Sequence, residues 1–270
     1  MRTTVHALVP SVFAAALLLG ACGSSASDDD QLGSAGAEAS APSASPSEAK
    51  AAERMAINPA ETGSLRIIVE LAGEPPEPRQ LDVGRDPACE HDGPIFSEFV
   101  VARDGRLQGA LVRVRSGHER WLPPAPPEEP ALLHQEGCIY RPHVLGIQVG
   151  TPLLVENDDA LVHNVHIRAR RNRETNLVQS EGAPALRYDF PKPELSIPVQ
   201  CDLHPWMGAW LHVLEHPWFA VSGEEGIALI EGLPAGDYEL ELQHEKFGTE
   251  RVSVTVAAQV ETELTVRLGE

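Results

Sequence analysis

The chain has 270 residues, enough for one large hydrophobic core or two smaller ones. Its 40 Asp and Glu residues outnumber its 21 Lys and Arg residues, which gives a formal net charge of −19. So acidic a chain repels a phosphate backbone, which excludes nucleic acid as an expected partner. The charge indicates either solvation of an exported protein or attraction to a basic partner protein.

The amino terminus has the pattern of an export signal. An apolar run from about residue 7 to residue 19 is too short to span a bilayer and is followed by small residues. It ends in LGAC, with Cys22 last, which resembles the lipobox of bacterial lipoproteins. That resemblance implies a signal peptide over residues 1–21, a lipid on Cys22 and a place in the bacterial cell envelope; the alternative is an unmodified Cys22. By the same resemblance, Gly23 favours the outer membrane.

The next segment has almost nothing to bury. From Gly23 to about Glu48 it consists mainly of Ser, Ala, Gly, Pro and acidic residues, so we predict a flexible tether over residues 22–62. A first strand is predicted in SLRIIVEL, where apolar residues alternate from Leu65 onward. The folded part is therefore expected to start near Gly63.

Strand-like runs continue along the rest of the chain. FVVARDGRLQGALVRVR contains an Asp104-Gly105 turn between two such runs, and LGIQVGTPLLVEND and VHNVHIRA provide two more. No long stretch between residues 63 and 270 has a helical period, and 23 Pro and 22 Gly punctuate the chain. We therefore predict a mainly antiparallel, all-β protein.

The segment CDLHPWM combines three metal-ligand types at intervals of three residues. Cys201 offers a thiolate, His204 an imidazole and Met207 a thioether. These soft ligands select copper, because hard cations prefer oxygen and zinc is rarely bound by Met. Pro205 fixes its own φ and favours an extended His204, which predicts a strand end followed by a stiff loop.

A second imidazole is available about forty residues upstream, in VENDDALVHNVHI. If the strand after the polar turn alternates, His163 shares a face with Val165 and Ile167, whereas His166 lies on the opposite face. The same count places Cys201 on an apolar side of its own strand. His163 is therefore predicted to point inward, toward the thiol.

These motifs together resemble the cupredoxin family of blue copper proteins: an Asn-containing turn, His-Asn-Val, and far downstream Cys-x₂-His followed by Met. The resemblance implies a Greek-key β-sandwich with one copper ion at one end and a role in one-electron transfer. Carried over residue by residue, it implies His163 and His204 as imidazole ligands, Cys201 as thiolate ligand and Met207 as axial thioether.

One spacing departs from that pattern. Only Pro205 and Trp206 separate His204 from Met207, fewer residues than in common small blue copper proteins. Such a His-x₂-Met spacing resembles the binuclear centre of cytochrome oxidase, but the second Cys of that centre is missing here. One copper ion is therefore the expected count, and the axial role of Met207 stays open.

A wider resemblance covers residues from about 86 to 248. GCIYRPHVLGIQVG, HNVH, CDLHPWM, HPWFAV and GLPAGDYELELQHEKFG resemble exported bacterial proteins in which a cupredoxin-like domain runs into a carboxypeptidase-regulatory-like module. The resemblance implies a cupredoxin-like domain over residues 63–215 and a small β-sandwich module without a catalytic constellation over residues 216–270.

The chain has four cysteines, and two of them have roles above. If Cys22 carries lipid and Cys201 binds metal, Cys89 and Cys138 remain, and an oxidising envelope favours a disulfide between them. Closing a loop of that length would stabilise the fold by roughly 4 kcal/mol. The alternative is a pair of buried free thiols.

Three functions are consistent with these observations. The first is a membrane-anchored one-electron carrier that uses a redox partner protein, and the acidic charge of the chain favours a basic one. The second is copper sequestration or delivery, and the third is a structural surface lipoprotein with a vestigial site. No nucleophile pattern marks hydrolysis, and no second copper is evident for a substrate, so an enzyme is not expected.

Overall fold

The computed structural model describes residues 54–83, 89 and 93–269. The predicted signal peptide, Cys22 and most of the predicted tether lie outside the described residues. Among the described residues, no helix is long and apolar enough to cross a membrane. Regular structure there is almost entirely β strand, with one short 3₁₀ helix at Pro59–Glu61, which confirms the predicted all-β class.

The strands follow one another in this order: β1 (Thr62–Leu71), β2 (Ala102–Arg103), β3 (Arg106–Leu107), β4 (Leu111–Ser116), β5 (Ala131–Glu136), β6 (Ile139–Arg141), β7 (Val144–Gln148), β8 (Leu153–Asn157), β9 (His163–Ile167), β10 (Thr175–Gln179), β11 (Leu186–Tyr188), β12 (Glu194–Gln200), β13 (Gly208–Leu214), β14 (Phe219–Val221), β15 (Ile227–Pro234), β16 (Gly236–His244), β17 (Gly248–Val256) and β18 (Glu261–Leu268).

These strands build two β-sandwiches, each around its own core. One pairs the sheet β10-β9-β12-β13-β7 with the sheet β11-β8-β5-β6, and we call it the inserted sandwich. The other pairs the sheet β15-β1-β3-β2, to which β18 adds beside β1, with the sheet β14-β4-β16-β17, and we call it the host sandwich. Each core consists of apolar side chains that alternate along the strands and face inward.

The inserted sandwich lies within the sequence of the host sandwich. All its strands fall between β4 and β14, and these two host strands pair directly, with Phe219 opposite Arg113 and Val221 opposite Leu111. The chain therefore leaves and re-enters the host sandwich at neighbouring points, a geometry that tolerates a domain insertion.

This arrangement differs from the predicted division at residues 215 and 216. The prediction placed the first strand with the metal-binding domain, whereas β1 pairs antiparallel with β15 and parallel with β18 in the host sandwich. Alternation in SLRIIVEL indicated the buried face correctly, because Leu65, Ile67 and Val69 are fully buried. A period of two identifies the inward face of a strand but carries no information about its partner strand.

Two local predictions can be compared with the structure. Asp104 and Gly105 have φ of 51° and 76° and connect β2 to β3, as the predicted turn requires. The tether ends earlier than predicted, because the Met55 backbone N–H donates to the Arg120 carbonyl at 2.8 Å and a 3₁₀ helix precedes β1. Residues 54–62 therefore belong to the folded part.

Two described residues of the connection between β1 and β2 contact the inserted sandwich. Val83 packs against the inserted core, and Cys89 forms a disulfide with Cys138, which follows β5. The predicted bridge is therefore confirmed. It fastens a segment of the host sandwich covalently to the inserted one.

Side chains also join the two sandwiches directly. The ring of Phe219 in β14 approaches Gly146 in β7 so closely that an added Cβ would lie 2.7 Å from it, which leaves room only for glycine. His143, just before β7, places Nε2 2.5 Å from Oε1 of Glu245 in the β16–β17 turn, and its Nδ1 lies 3.0 Å from the Gly208 carbonyl. Trp210 donates its indole N–H to the same carboxylate.

Glu245→Gln is expected to lower the free energy of unfolding by about 2 kcal/mol at pH 6, because the neutral amide no longer forms an ion pair with protonated His143. Burial alone would lower the pKa of His143, but the hydrogen bond and charge of Glu245 raise it above the ordinary 6.5. A raised pKa contributes stability below pH 6.5 that disappears as the pH rises through the folded-state pKa. The difference between the unfolding midpoints of the two proteins should therefore narrow as the pH rises from 5 to 10, and a difference that does not change with pH would contradict the ion pair.

Candidate metal centre

Three donor side chains from separate parts of the sequence meet at one end of the inserted sandwich. His163 is the first residue of β9, Cys201 directly follows β12, and His204 lies in the loop from β12 to β13. One ligand atom from each lies within 4.8 Å of the others, and their exposed fractions are 0%, 2% and 5%. The structure therefore brings together three of the four predicted ligands in a buried cluster.

The distances within this cluster suit a single metal ion. His163 Nδ1 lies 2.9 Å from His204 Nδ1, which in turn lies 3.6 Å from Cys201 Sγ. Metal–nitrogen bonds of about 2.0 Å and metal–sulfur bonds of about 2.3 Å place the donors of one ion roughly 3.3–3.7 Å apart. The nitrogen–sulfur separation fits directly, and the two nitrogens need to part only slightly.

The loop that carries His204 is closed by its own backbone. The Met207 N–H donates to the His204 carbonyl at 2.9 Å, and the Cys201 N–H donates to the Met207 carbonyl at 3.3 Å. The chain thus folds back between the thiol and the imidazole, as the prediction required. Met207 is buried in the core of the inserted sandwich, and its role as axial ligand stays a prediction.

Asn164 ties the two ligand-bearing segments together. Its Oδ1 accepts the backbone N–H groups of Asp202 at 2.5 Å and Leu203 at 3.3 Å, and its own N–H points at Cys201 Sγ from 3.5 Å. Hydrogen bonds of this kind orient a ligand before the metal arrives. The Asn of the His-Asn-Val motif therefore fixes the position of the thiol.

Asp159 orients His163, a role that the sequence pattern does not predict. Its Oδ2 lies 2.8 Å from His163 Nε2, which fixes the ring so that Nδ1 faces His204 and Cys201. The same carboxylate accepts the backbone N–H groups of Gly137 at 2.7 Å and Cys138 at 2.9 Å. A carboxylate behind a histidine is a common outer partner of metal sites. The available signal was an acidic turn four residues before the histidine.

The electrostatics of the cluster favour an ionised thiol. Burial alone would raise the pKa of Cys201, but hydrogen bonds from His163 and from backbone groups outweigh it and lower the pKa to about 7. Burial would likewise lower the pKa of His163, but hydrogen bonds to Asp159 and Cys201 raise it to about 9. Hydrogen bonds hold the pKa of Asp159 below its ordinary value despite burial. The thiolate is the form that binds metal.

His166 lies on the opposite face of β9, as alternation predicts. Its Nδ1 is 3.1 Å from both carboxylate oxygens of Asp202, and its Nε2 is 3.0 Å from Glu174 Oε1. These hydrogen bonds, first the one to Glu174 and then the one to Asp202, raise the pKa of His166. Its nitrogens are therefore engaged at the protein surface, away from the buried cluster.

Two further groups of donor atoms occur among the described residues. One consists of Cys138, Asp159 and His163, but the sulfur of Cys138 is bonded to Cys89 and cannot bind a metal as a thiolate. The other consists of His134, Glu156 and Asp158 at the surface, where His134 Nδ1 lies 2.8 Å from Asp158 Oδ2. The cluster of His163, Cys201 and His204 is the one that combines burial with soft ligands.

Comparisons with known proteins yield structural neighbours but no relatives in sequence. No family model matches the chain, and no curated protein matches it. A Cu-containing nitrite reductase (NirK) from Thermus scotoductus SA-01 is 24% identical with a TM-score of 0.29, over 38% of this chain and 25% of that one. The matched part thus spans a quarter of the reductase.

Two smaller proteins are similar over nearly their whole length. A purple cupredoxin from Nitrosopumilus maritimus is 21% identical with a TM-score of 0.27, over 31% of this chain and 98% of that one. A mutant of amicyanin in the Cu(I) form is 20% identical with a TM-score of 0.29, over 38% of this chain and 97% of that one.

Proposed function

We propose that the inserted sandwich binds one copper ion through His163, Cys201 and His204, with Met207 as axial ligand, and that the protein carries single electrons in the bacterial cell envelope. The observation that carries the proposal is the meeting of two imidazole nitrogens and one thiol in a buried position. Two imidazoles, one thiolate and a weak thioether form the donor set of copper electron-transfer sites.

Rigidity of the donor cluster supports electron transfer over simple storage. Asp159 holds His163, Asn164 holds the segment after Cys201, and the 201–207 loop is closed by backbone hydrogen bonds. The chemistry that copper supplies when bound is the exchange of one electron between two oxidation states. A cage that is already fixed limits the rearrangement between those states.

A partner protein would approach at the ends of the ligand-bearing segments. Val162 precedes His163 and is 43% exposed, and Leu203 precedes His204 and is 52% exposed. Exposed apolar side chains beside a buried site are suited to a protein contact. The net charge of −19 would attract a basic partner.

The test is a combined measurement of copper content, voltammetry and copper exchange on the purified protein. We expect one copper per chain, a reversible one-electron wave, and copper that stays bound in both oxidation states against a competing chelator. Loading with zinc alone should give a colourless protein without a wave, which serves as the matched control.

The alternatives predict different results. Rapid transfer of copper to the chelator after reduction would favour sequestration or delivery, since the same three ligands would then release their metal. Failure to bind copper at all would overturn both functions and leave the structural lipoprotein with a vestigial site.

A further inference from the structure

The turn between β5 and β6 is linked to His163 by the carboxylate of Asp159, which contacts both. Gly137 and Cys138 form this turn, with φ of 66° and 57°. A left-handed backbone is uncommon for a residue other than glycine and persists where its surroundings hold it. In this conformation both backbone N–H groups donate to Asp159, the residue whose carboxylate fixes His163 Nε2.

The same turn also contacts the loop that carries His204. The carbonyl of Cys138 accepts the indole N–H of Trp206 at 3.0 Å. The Trp206 ring lies 5.2 Å, centroid to centroid, from the ring of His204. Cys138 is therefore hydrogen-bonded to two residues that each contact one imidazole. Asp159 contacts His163, and Trp206 contacts His204.

The sulfur of Cys138 provides the anchor for this turn. It is bonded to Cys89 of the β1–β2 connection, and both residues are buried. The disulfide thus attaches the β1–β2 connection to Cys138, the residue that is hydrogen-bonded to both Asp159 and Trp206. A bridge placed only for chain stability would not need to coincide with these contacts.

We propose that Cys138, held by its disulfide to Cys89, is a positioning residue of the metal centre, and that opening the bridge weakens metal binding at a distance from the ligands. The proposal rests on the proposed function of the inserted sandwich as a metal-binding domain. Without the bridge, the Cys138 backbone is free to leave the left-handed conformation. Asp159 then loses a donor, Trp206 loses its acceptor, and both imidazoles gain freedom.

The expected size of the effect follows from outer contacts of metal sites, whose removal typically weakens metal binding by roughly 10-fold to 100-fold. We expect the Cys89→Ser/Cys138→Ser variant to bind Cu(I) about 10-fold more weakly than the unaltered protein, in competition with a chromogenic Cu(I) chelator. The thiolate-to-copper band of its Cu(II) form should also shift or broaden. Substitution is used because a thiol reductant would itself bind copper and reduce Cu(II).

A double-mutant cycle tests whether the bridge acts through the proposed contacts. If Cys138 acts through Asp159, removal of the bridge should cost clearly less, on the order of threefold, in an Asp159→Asn background. Equal costs in both backgrounds would mean that Asp159 does not transmit the effect and would overturn the proposal.

Loss of general stability is separated by a matched control. Ile230→Ala removes a buried side chain from the host core, away from the centre, and should lower the unfolding temperature without changing Cu(I) affinity or the band. Equal weakening in this control would overturn the positioning role. If the serine variant does not fold, Trp206→Phe keeps an aromatic ring at this position and keeps the bridge, but it removes the indole N–H. It should weaken binding about threefold to tenfold, and an unchanged affinity and band would refute the proposal.

The two proposals fail in different ways. An unaltered protein that binds no copper refutes the proposed function. A protein that binds one copper with a thiolate band, equally well with and without the bridge, refutes the positioning role of Cys138 alone.

Discussion

Cys201→Ser is expected to abolish the intense visible absorption of the copper-loaded protein. That absorption is a charge transfer from thiolate to copper, and a serine hydroxyl does not provide the soft, ionised donor that it requires. Copper affinity should fall by more than about 100-fold, since a direct ligand contributes more than the outer contacts whose loss costs 10-fold to 100-fold. A visible spectrum and a chelator competition measure the two effects.

Met207→Leu is the matched variant for this experiment. Leucine has a similar volume and suits the buried position of Met207, but it lacks the thioether. We expect the band to remain and the reduction potential to change, because a weak axial ligand tunes the potential of such a site. A band that persists in Cys201→Ser would contradict the ligand set, and a band that disappears in Met207→Leu would show that the thioether does more than tune the site.

Local patterns in the sequence were sufficient to predict several of the strands, among them β1, β7, β8 and β9, and the face from which His163 points. Alternation depends only on neighbouring residues, so it places Val165 and Ile167 in the core together with His163. The cysteine pairing was accessible by counting, because only two of the four cysteines lacked another role. These predictions required no knowledge of which strands are neighbours in space.

Contacts between segments that are far apart in the sequence could not be predicted from such local patterns. The insertion of one sandwich into the other depends on β4 pairing with β14, and the role of β1 depends on β15 and β18, far along the chain. Asp159 is supported by a turn more than twenty residues upstream. Nothing in its own sequence neighbourhood indicates these donors, because they belong to the backbone of another strand pair.

The choice between the two histidines of HNVH now has a structural basis. A β-bulge in β9 would have reversed the alternation, but β9 pairs with β10 in continuous register from Gln179 opposite His163 to Thr175 opposite Ile167. His163 is fully buried beside His204, whereas His166 contacts Asp202 and Glu174 on the other face. Only His163 therefore faces the donor cluster.

His163→Gly is accordingly expected to abolish the thiolate-to-copper band or to shift it to a different site type, and to weaken copper binding by more than about 100-fold, as for any direct ligand. Added imidazole should restore the band, because the vacated space is bordered by Asp159, which oriented the original ring. His166→Ala is the matched control, and it should retain the band with at most a change in potential. Loss of colour in His166→Ala with retention in His163→Gly would mean that copper lies on the opposite face of β9. Recovery of colour by imidazole in His163→Gly would instead identify that ring as the missing ligand, since a merely structural gap gains no donor from it.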